Sequence, residues 1–171
     1  MPIGYMIGIG ISGFIAAFAL AVLLTPLARR FAFRVGALDV PDARKVHTKI
    51  MPRLGGLAIY ASFAFVILLF LMLVPDKYLL ASNRNLIGAL LAGGTIIVLL
   101  GALDDRFNLN AKLKLLVQTA AACLVVFGFD IHINLVNVPF GSAMQPIAEW
   151  IGIPLTILWI VGVTNAINLI D

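Results

Sequence analysis

Cysteine is nearly absent from this 171-residue chain, since Cys123 stands alone. No disulfide can form within the chain, and a cysteine-based metal site is disfavoured. Cys123 lies in an apolar run and reads as a core or lipid-facing side chain. Charge is scarce as well: Asp, Glu, Lys and Arg make up 12% of the residues. Acidic groups are missing from the middle of every long apolar run, and no Lys or Arg falls between Asp130 and Glu149. None precedes the first apolar run either, and that run is too long for a cleaved signal peptide. Soluble classes are excluded by what remains. Hydrophobic residues make up 62% of the sequence and the mean hydropathy is +1.08, against roughly 45–50% apolar usage in soluble domains.

A bilayer core about 30 Å thick takes about 20 apolar residues to cross as a helix. Stretches at 3–27, 55–74, 86–103, 113–129 and 150–170 meet or approach that length, so the expected fold is an all-α polytopic membrane protein with about five transmembrane helices. The fourth stretch is the shortest and carries Lys114 and Gln118 near its start, which requires Lys114 to snorkel to the interface. Short apolar alternation at Ile131, Ile133 and Leu135, followed by Asn137, Pro139 and Gly141, suggests a small β-hairpin between the last two spans. No internal repeat or soluble domain is evident. The end at Asp171, directly after an apolar helix with no basic anchor, suggests the N-terminal half of a larger protein.

The basic residues are unevenly shared among the connections. Arg29, Arg30, Arg34, Arg44, Lys45, Lys49 and Arg53 follow the first span, and Arg106, Lys112 and Lys114 follow the third, whereas the second connection holds only Lys77 and Arg84. Positive loops stay in the cytoplasm. The expected topology therefore has the N-terminus and the hairpin outside, and the two basic loops and Asp171 inside. The net charge of +4 and pI near 9.6 follow from this topogenic pattern and from attraction to anionic lipid rather than from nucleic-acid binding.

Polar residues that could carry chemistry then fall in clusters on one membrane face. Asp104 and Asp105 end the third span; adjacent carboxylates repel unless a cation, a proton or a basic partner compensates. Mg²⁺ is a natural counter-ion, being held by one or two carboxylates together with phosphates and water. The plainer alternative is an interfacial loop neutralised by Arg106, Lys112 and Lys114. The run from Asp39 to His47 puts Arg44, Lys45 and His47 within four residues as phosphate donors, and Gly55-Gly56 reads as a point of close backbone approach. Near the C-terminus Asn165, Asn168 and Asp171 recur at a spacing that places them along one helix flank. Asn side chains commonly hydrogen-bond to a neighbouring helix in a bundle, but with the other clusters at the same depth a shared polar cleft is the expectation.

These residues together resemble the polyprenyl-phosphate N-acetylhexosamine-1-phosphate transferases of glycosyltransferase family 4. The resemblance is carried by DVPDARKVH (39–47), PRLGG (52–56), GALDDRFNLNAKLKLLVQ (101–118) and VGVTNAINLID (161–171), in family order and with family-like spacing. PRLGG and RKVH are closer to the undecaprenyl-phosphate GlcNAc-1-phosphate transferases than to the phospho-MurNAc-pentapeptide branch, which is the alternative. The resemblance implies UDP-GlcNAc and undecaprenyl phosphate as substrates and Mg²⁺, or Mn²⁺, as cofactor. It implies a bacterial plasma membrane with the active site on the cytoplasmic face, and a role at the start of teichoic acid, O-antigen or a related surface glycan. Asp104 and Asp105 match the family's paired catalytic aspartates and, with Asp171, its metal-binding acids. Arg44, Lys45, His47, Lys112, Asn165 and Asn168 are the implied substrate-binding residues, and a homodimer is compatible with the pattern. The competing readings are an inactive fragment or scaffold and a piece of a transporter. Transport is disfavoured because transporters place ionisable groups near the bilayer midplane.

The topology has a direct check. A reporter enzyme that folds only outside the cytoplasm should be active when fused within 130–145 and inactive when fused within 106–112; the reverse pattern overturns the orientation.

Overall fold

The computed structural model describes residues 3–41, 49–73, 81–137 and 144–170. Helix α1 (Ile3–Val35) leads to strand β1 (Leu38–Asp39), strand β2 (Met51–Pro52) and helix α2 (Gly55–Leu73). Helices α3 (Ala81–Phe107) and α4 (Ala111–Cys123) follow, with α4 continuing as a π-helical turn over Leu124–Gly128. Strands β3 (Leu135–Asn137) and β4 (Met144–Pro146) precede helix α5 (Glu149–Ile170). Among the described residues five helical stretches are long and apolar enough to cross a membrane, the shortest having 18 residues. At 1.5 Å per residue that is about 27 Å, close to the hydrocarbon thickness. The chain is thus an all-α polytopic membrane protein, with two-stranded ribbons as its only sheets among the described residues.

Several boundaries differ from the expected ones, for a common reason. α1 runs on to Val35, carrying Arg29, Arg30 and Arg34 on helix rather than loop, and α3 starts before Arg84 and ends at Phe107. Hydropathy marks where a helix lies in hydrocarbon, but Arg and Lys are good helix formers, and the helix continues into the interface until a backbone signal stops it. For α1 the signal is Gly36, at φ 74. The Ala37 N–H donates to the Ala32 carbonyl at 3.0 Å, the bond that closes a helix through a left-handed residue.

Inside the spans, hydroxyl groups find acceptors on their own helices. Thr25 donates to the Ala21 carbonyl at 2.7 Å, Thr119 to Leu115 at 2.8 Å and Thr164 to Ile160 at 2.7 Å. Lipid offers no alternative partner. The side chains most enclosed by the chain are chiefly small ones, including Ala32, Ala37, Ala122 and Ser62, whereas Phe14, Phe18, Met72 and Trp159 are exposed. Membrane helices pack through small residues because large apolar ones lose nothing by facing acyl chains.

The chain divides into two compact units, Met1–Leu80 with Val98–Leu109, and Ala81–Ile97 with Asn110–Asp171. In the first, α1 and α2 pack together and β1 pairs antiparallel with β2, Leu38 opposite Pro52 and Asp39 opposite Met51. In the second, α4 packs on α5 and the expected hairpin is present, with Val136 opposite Gln145. Before the hairpin the chain is extended against α5. The Ile133 N–H donates to Thr156 Oγ1 at 2.8 Å, and the buried Thr156 hydroxyl donates to the Gly152 carbonyl at 2.6 Å. A Cβ at Gly152 would collide with the Ile133 carbonyl oxygen.

The glycines therefore separate into different kinds. Gly36→Ala should destabilise by about 1 kcal/mol through its left-handed backbone. Gly152→Ala should cost about 1–3 kcal/mol, because backbone must move to admit the methyl group. Gly10→Ala, within α1 and with open space around its Cα, should be neutral or stabilising by up to about 1 kcal/mol. Thermal unfolding in one detergent checks the order.

Candidate functional site

In the first unit, the closed end of α1 provides the floor. Ala32, Ala37 and Leu54 form a buried cluster with Val35 and Ala102 packed against it. Leu54 belongs to the PRLGG segment and Ala102 lies one short step before the acid pair, so this contact sets the last turn of α3 beside the β1–β2 ribbon. The ribbon holds the two ends of the basic loop together. Arg53 closes it twice: its N–H donates to the Ala37 carbonyl at 3.1 Å, and its guanidinium meets Asp39 Oδ1 at 2.7 Å. The Asp39 carboxylate is 18% exposed and Arg53 37%, so the pair is partly screened and contributes on the order of 1 kcal/mol or less. Its consequence is positional, since it fixes where the loop from Val40 to Ile50 begins and ends.

Asp104 and Asp105 sit half-buried in the final helical turn of α3, on the helix rather than beyond it. Asp104 also caps that helix. Its carbonyl accepts from the Asn108 N–H at 2.7 Å, and its Oδ1 accepts from the Leu109 N–H at 2.9 Å. Asn108 occupies the left-handed region at φ 50, which Asn tolerates better than most residues. Arg106 turns its guanidinium toward Gly36, and its Cζ lies 5.3 Å from the centroid of the Phe107 ring.

In the second unit, Asn110 caps α4: its Oδ1 accepts from the Leu113 N–H at 2.8 Å. Lys112 follows on the first turn and is exposed. Asn165 and Asn168 are exposed near the end of α5. Asn165 reaches across to α4, where its Nδ2 donates to Oε1 of the buried Gln118 at 2.7 Å and also to its own helix at the Val161 carbonyl, 2.9 Å away.

Of the residues expected from sequence, Asp104, Asp105, Lys112, Asn165 and Asn168 are placed at helix ends. Arg44, Lys45, His47 and Asp171 lie outside the described residues. For Asn165 the helix-to-helix hydrogen bond weighed at the outset is present. A Cβ at Gly55 or Gly56 would meet nothing within 4 Å among the described residues, so the close backbone approach expected of that pair has no counterpart among them. Sequence reasoning missed the Asp39–Arg53 clasp and the partnership of Gln118 with Asn165. Gln118 had a signal, being an amide within an apolar span. The clasp had none, because strands of two residues carry no periodicity. Among the described residues no three His, Cys, Asp or Glu side chains gather to hold a metal. An acid pair of hard oxygen ligands is nonetheless the protein contribution that a phosphate-bound Mg²⁺ takes.

The described residues form a multi-pass helical protein with paired carboxylates and amides at its helix ends. The sequence profile of glycosyl transferase family 4 matches residues 86–171. The chain belongs to that family. It is 40% identical over 158 residues to a probable undecaprenyl-phosphate N-acetylglucosaminyl 1-phosphate transferase of Bacillus subtilis (strain 168), covering 92% of this chain and 41% of the relative. Undecaprenyl-phosphate alpha-N-acetylglucosaminyl 1-phosphate transferases of Escherichia coli O157:H7 and Yersinia pestis are 28% and 27% identical, each over 92% of this chain and 40% of their own length. The chain thus spans about two fifths of the curated relatives it matches. No solved structure matches it.

The double use of Asp104 separates two substitutions. Asp104→Asn keeps an oxygen acceptor for the Leu109 N–H and should leave the unfolding temperature close to wild type. Asp104→Ala should lose about 1 kcal/mol of stability. Equal melting temperatures for the two variants would show that the cap contributes nothing.

Proposed function

We propose that this chain carries part of the machinery that transfers GlcNAc-1-phosphate from UDP-GlcNAc to undecaprenyl phosphate. A phosphate oxygen of the lipid attacks the β-phosphorus of UDP-GlcNAc. A new phosphoanhydride bond to the lipid forms, the bond between the α- and β-phosphates breaks, and UMP leaves with its electron pair. The observation that carries this reading is the 40% identity with the Bacillus subtilis relative across nearly the whole of this chain. The paired acids at the end of α3 support it, because phosphoryl transfer asks a protein for positioning and charge neutralisation rather than covalent chemistry.

Asp104 and Asp105 would hold Mg²⁺, with Mn²⁺ as the alternative, and Asp171 would complete the acidic set. When bound with the diphosphate, the metal supplies charge neutralisation to the departing UMP. Asp104, already tied through Oδ1 to the Leu109 backbone, is held rigidly for that purpose. Lys112, Arg44, Lys45 and His47 bind phosphate oxygens, Arg in a bidentate manner. Asn165 and Asn168 contact the nucleotide sugar. The reaction belongs at the cytoplasmic interface because one substrate is dissolved in water and the other is anchored in lipid.

The test is UMP release from UDP-GlcNAc and undecaprenyl phosphate in membranes holding the product of the complete reading frame. Asp104→Asn and Asp105→Asn should each lower the rate by orders of magnitude while the protein still accumulates in the membrane. Near-normal turnover in both variants would overturn the role assigned to the acid pair.

A further inference from the structure

The amide of Asn165 is oriented by its surroundings, and the orientation restricts what it can bind. A carboxamide has two N–H donors on Nδ2 and an acceptor oxygen, Oδ1. The Val161 carbonyl accepts only, so the atom facing it at 2.9 Å is Nδ2. The second N–H of the same nitrogen donates to Gln118 Oε1 at 2.7 Å. Both donors are thereby spent inside the α4–α5 pair. Oδ1 is left as the one group that Asn165 can offer to anything outside it.

Gln118 is suited to this task by its burial. It is 5% exposed, on the inner face of α4 between helices, so it touches no solute and works through Asn165. Asn165 is exposed, and so is Asn168 one turn further along. An exposed amide on a membrane helix is costly against acyl chains, so this flank faces polar groups, of solvent, ligand or protein, rather than lipid.

We propose that Gln118 is a positioning residue that turns Asn165 so that its Oδ1 accepts a hydrogen bond from an N–H or O–H of the nucleotide sugar. Phosphate oxygens, which accept only, are refused at this position. The inference rests on the proposed transferase reading and assigns the polarity of one of its contacts. The donor is either on the uridine, as a base N–H or ribose O–H, or on the sugar, as a hydroxyl or acetamido N–H.

Charge and acceptor character can be separated by substitution. Wild-type UMP release tests the transferase reading by itself; affinity ratios among variants, measured with UDP and UDP-GlcNAc as direct binding probes, test the inference. Asn165→Leu should weaken UDP-GlcNAc binding about threefold to tenfold, the worth of one neutral hydrogen bond. Asn165→Asp keeps an acceptor oxygen and should bind better than Asn165→Leu. Gln118→Leu frees the Asn165 amide to rotate and should weaken binding as Asn165→Leu does. Gln118→Glu keeps the acceptor for Nδ2 and should restore most of the affinity; a purely structural role is distinguished by the two substrates, since loosening the α4–α5 pair would move KM for both. Gln118→Leu should raise KM for UDP-GlcNAc and leave KM for undecaprenyl phosphate unchanged. Loss shared by UDP and UDP-GlcNAc assigns the donor to uridine; loss confined to UDP-GlcNAc assigns it to the sugar. If Asn165→Asp binds worse than Asn165→Leu, the group facing Asn165 is an anion and the proposal is overturned. It is equally overturned if Gln118→Leu binds both probes as the wild type does.

Discussion

Backbone amides and carbonyls cannot be left bare in hydrocarbon, and that constraint governs where this chain can stop being helical. Three departures from the helix among the described residues are matched by a named partner. At the end of α1 the Ala37 N–H returns to the Ala32 carbonyl through Gly36. At the end of α3 the Asp104 carbonyl and carboxylate take the N–H groups of Asn108 and Leu109. The extended residues before the hairpin lean on Thr156 of α5. Polar chemistry is thereby confined to helix ends, because only there does the chain have irregular backbone with the means to support it.

The interior has little large apolar packing to hold it together. Alanine is the commonest residue at its enclosed positions, and Ser62, Gln118 and Thr156 are the buried polar groups among the described residues. Burial by area contributes less here than in water, since lipid is as apolar as a leucine side chain. What remains is close approach of backbones and a few hydrogen bonds between helices. A polar contact such as Gln118 to Asn165 is then a sizeable part of what registers α4 against α5, although such bonds average well under 2 kcal/mol in membranes.

The spans were legible because length and hydropathy answer directly to bilayer thickness. Their ends were not, because Arg29, Arg30 and Arg34 look like loop residues while the backbone at those positions is helical. The hairpin was legible from the alternation at Ile131, Ile133 and Leu135, shifted along the chain to Leu135–Asn137. The β1–β2 ribbon is set by an ion pair between Asp39 and Arg53, fourteen positions apart, which no local pattern reveals. Gly55-Gly56 reads as a packing motif, yet a Cβ there meets nothing within 4 Å among the described residues. The candidate site was legible as residue types: acids, amides and bases recur near helix ends. Which of them are tied to the backbone, and which atom of Asn165 faces outward, depends on contacts between distant segments.

The acid pair sits at the helix end where the backbone alone favours the opposite charge. A helix carries partial negative charge at its C-terminus, where cations are favoured and carboxylates are not. Asp104 and Asp105 occupy that end of α3, adjacent to each other, and neither is without a partner. The bond from the Leu109 N–H to Asp104 contributes about 1 kcal/mol. A stop signal alone needs no acid, since Asn108 in the left-handed region already ends the helix. Asp104 serves the backbone as a cap, and the ligand-binding role proposed for the pair adds to that local use rather than following from an unmet charge.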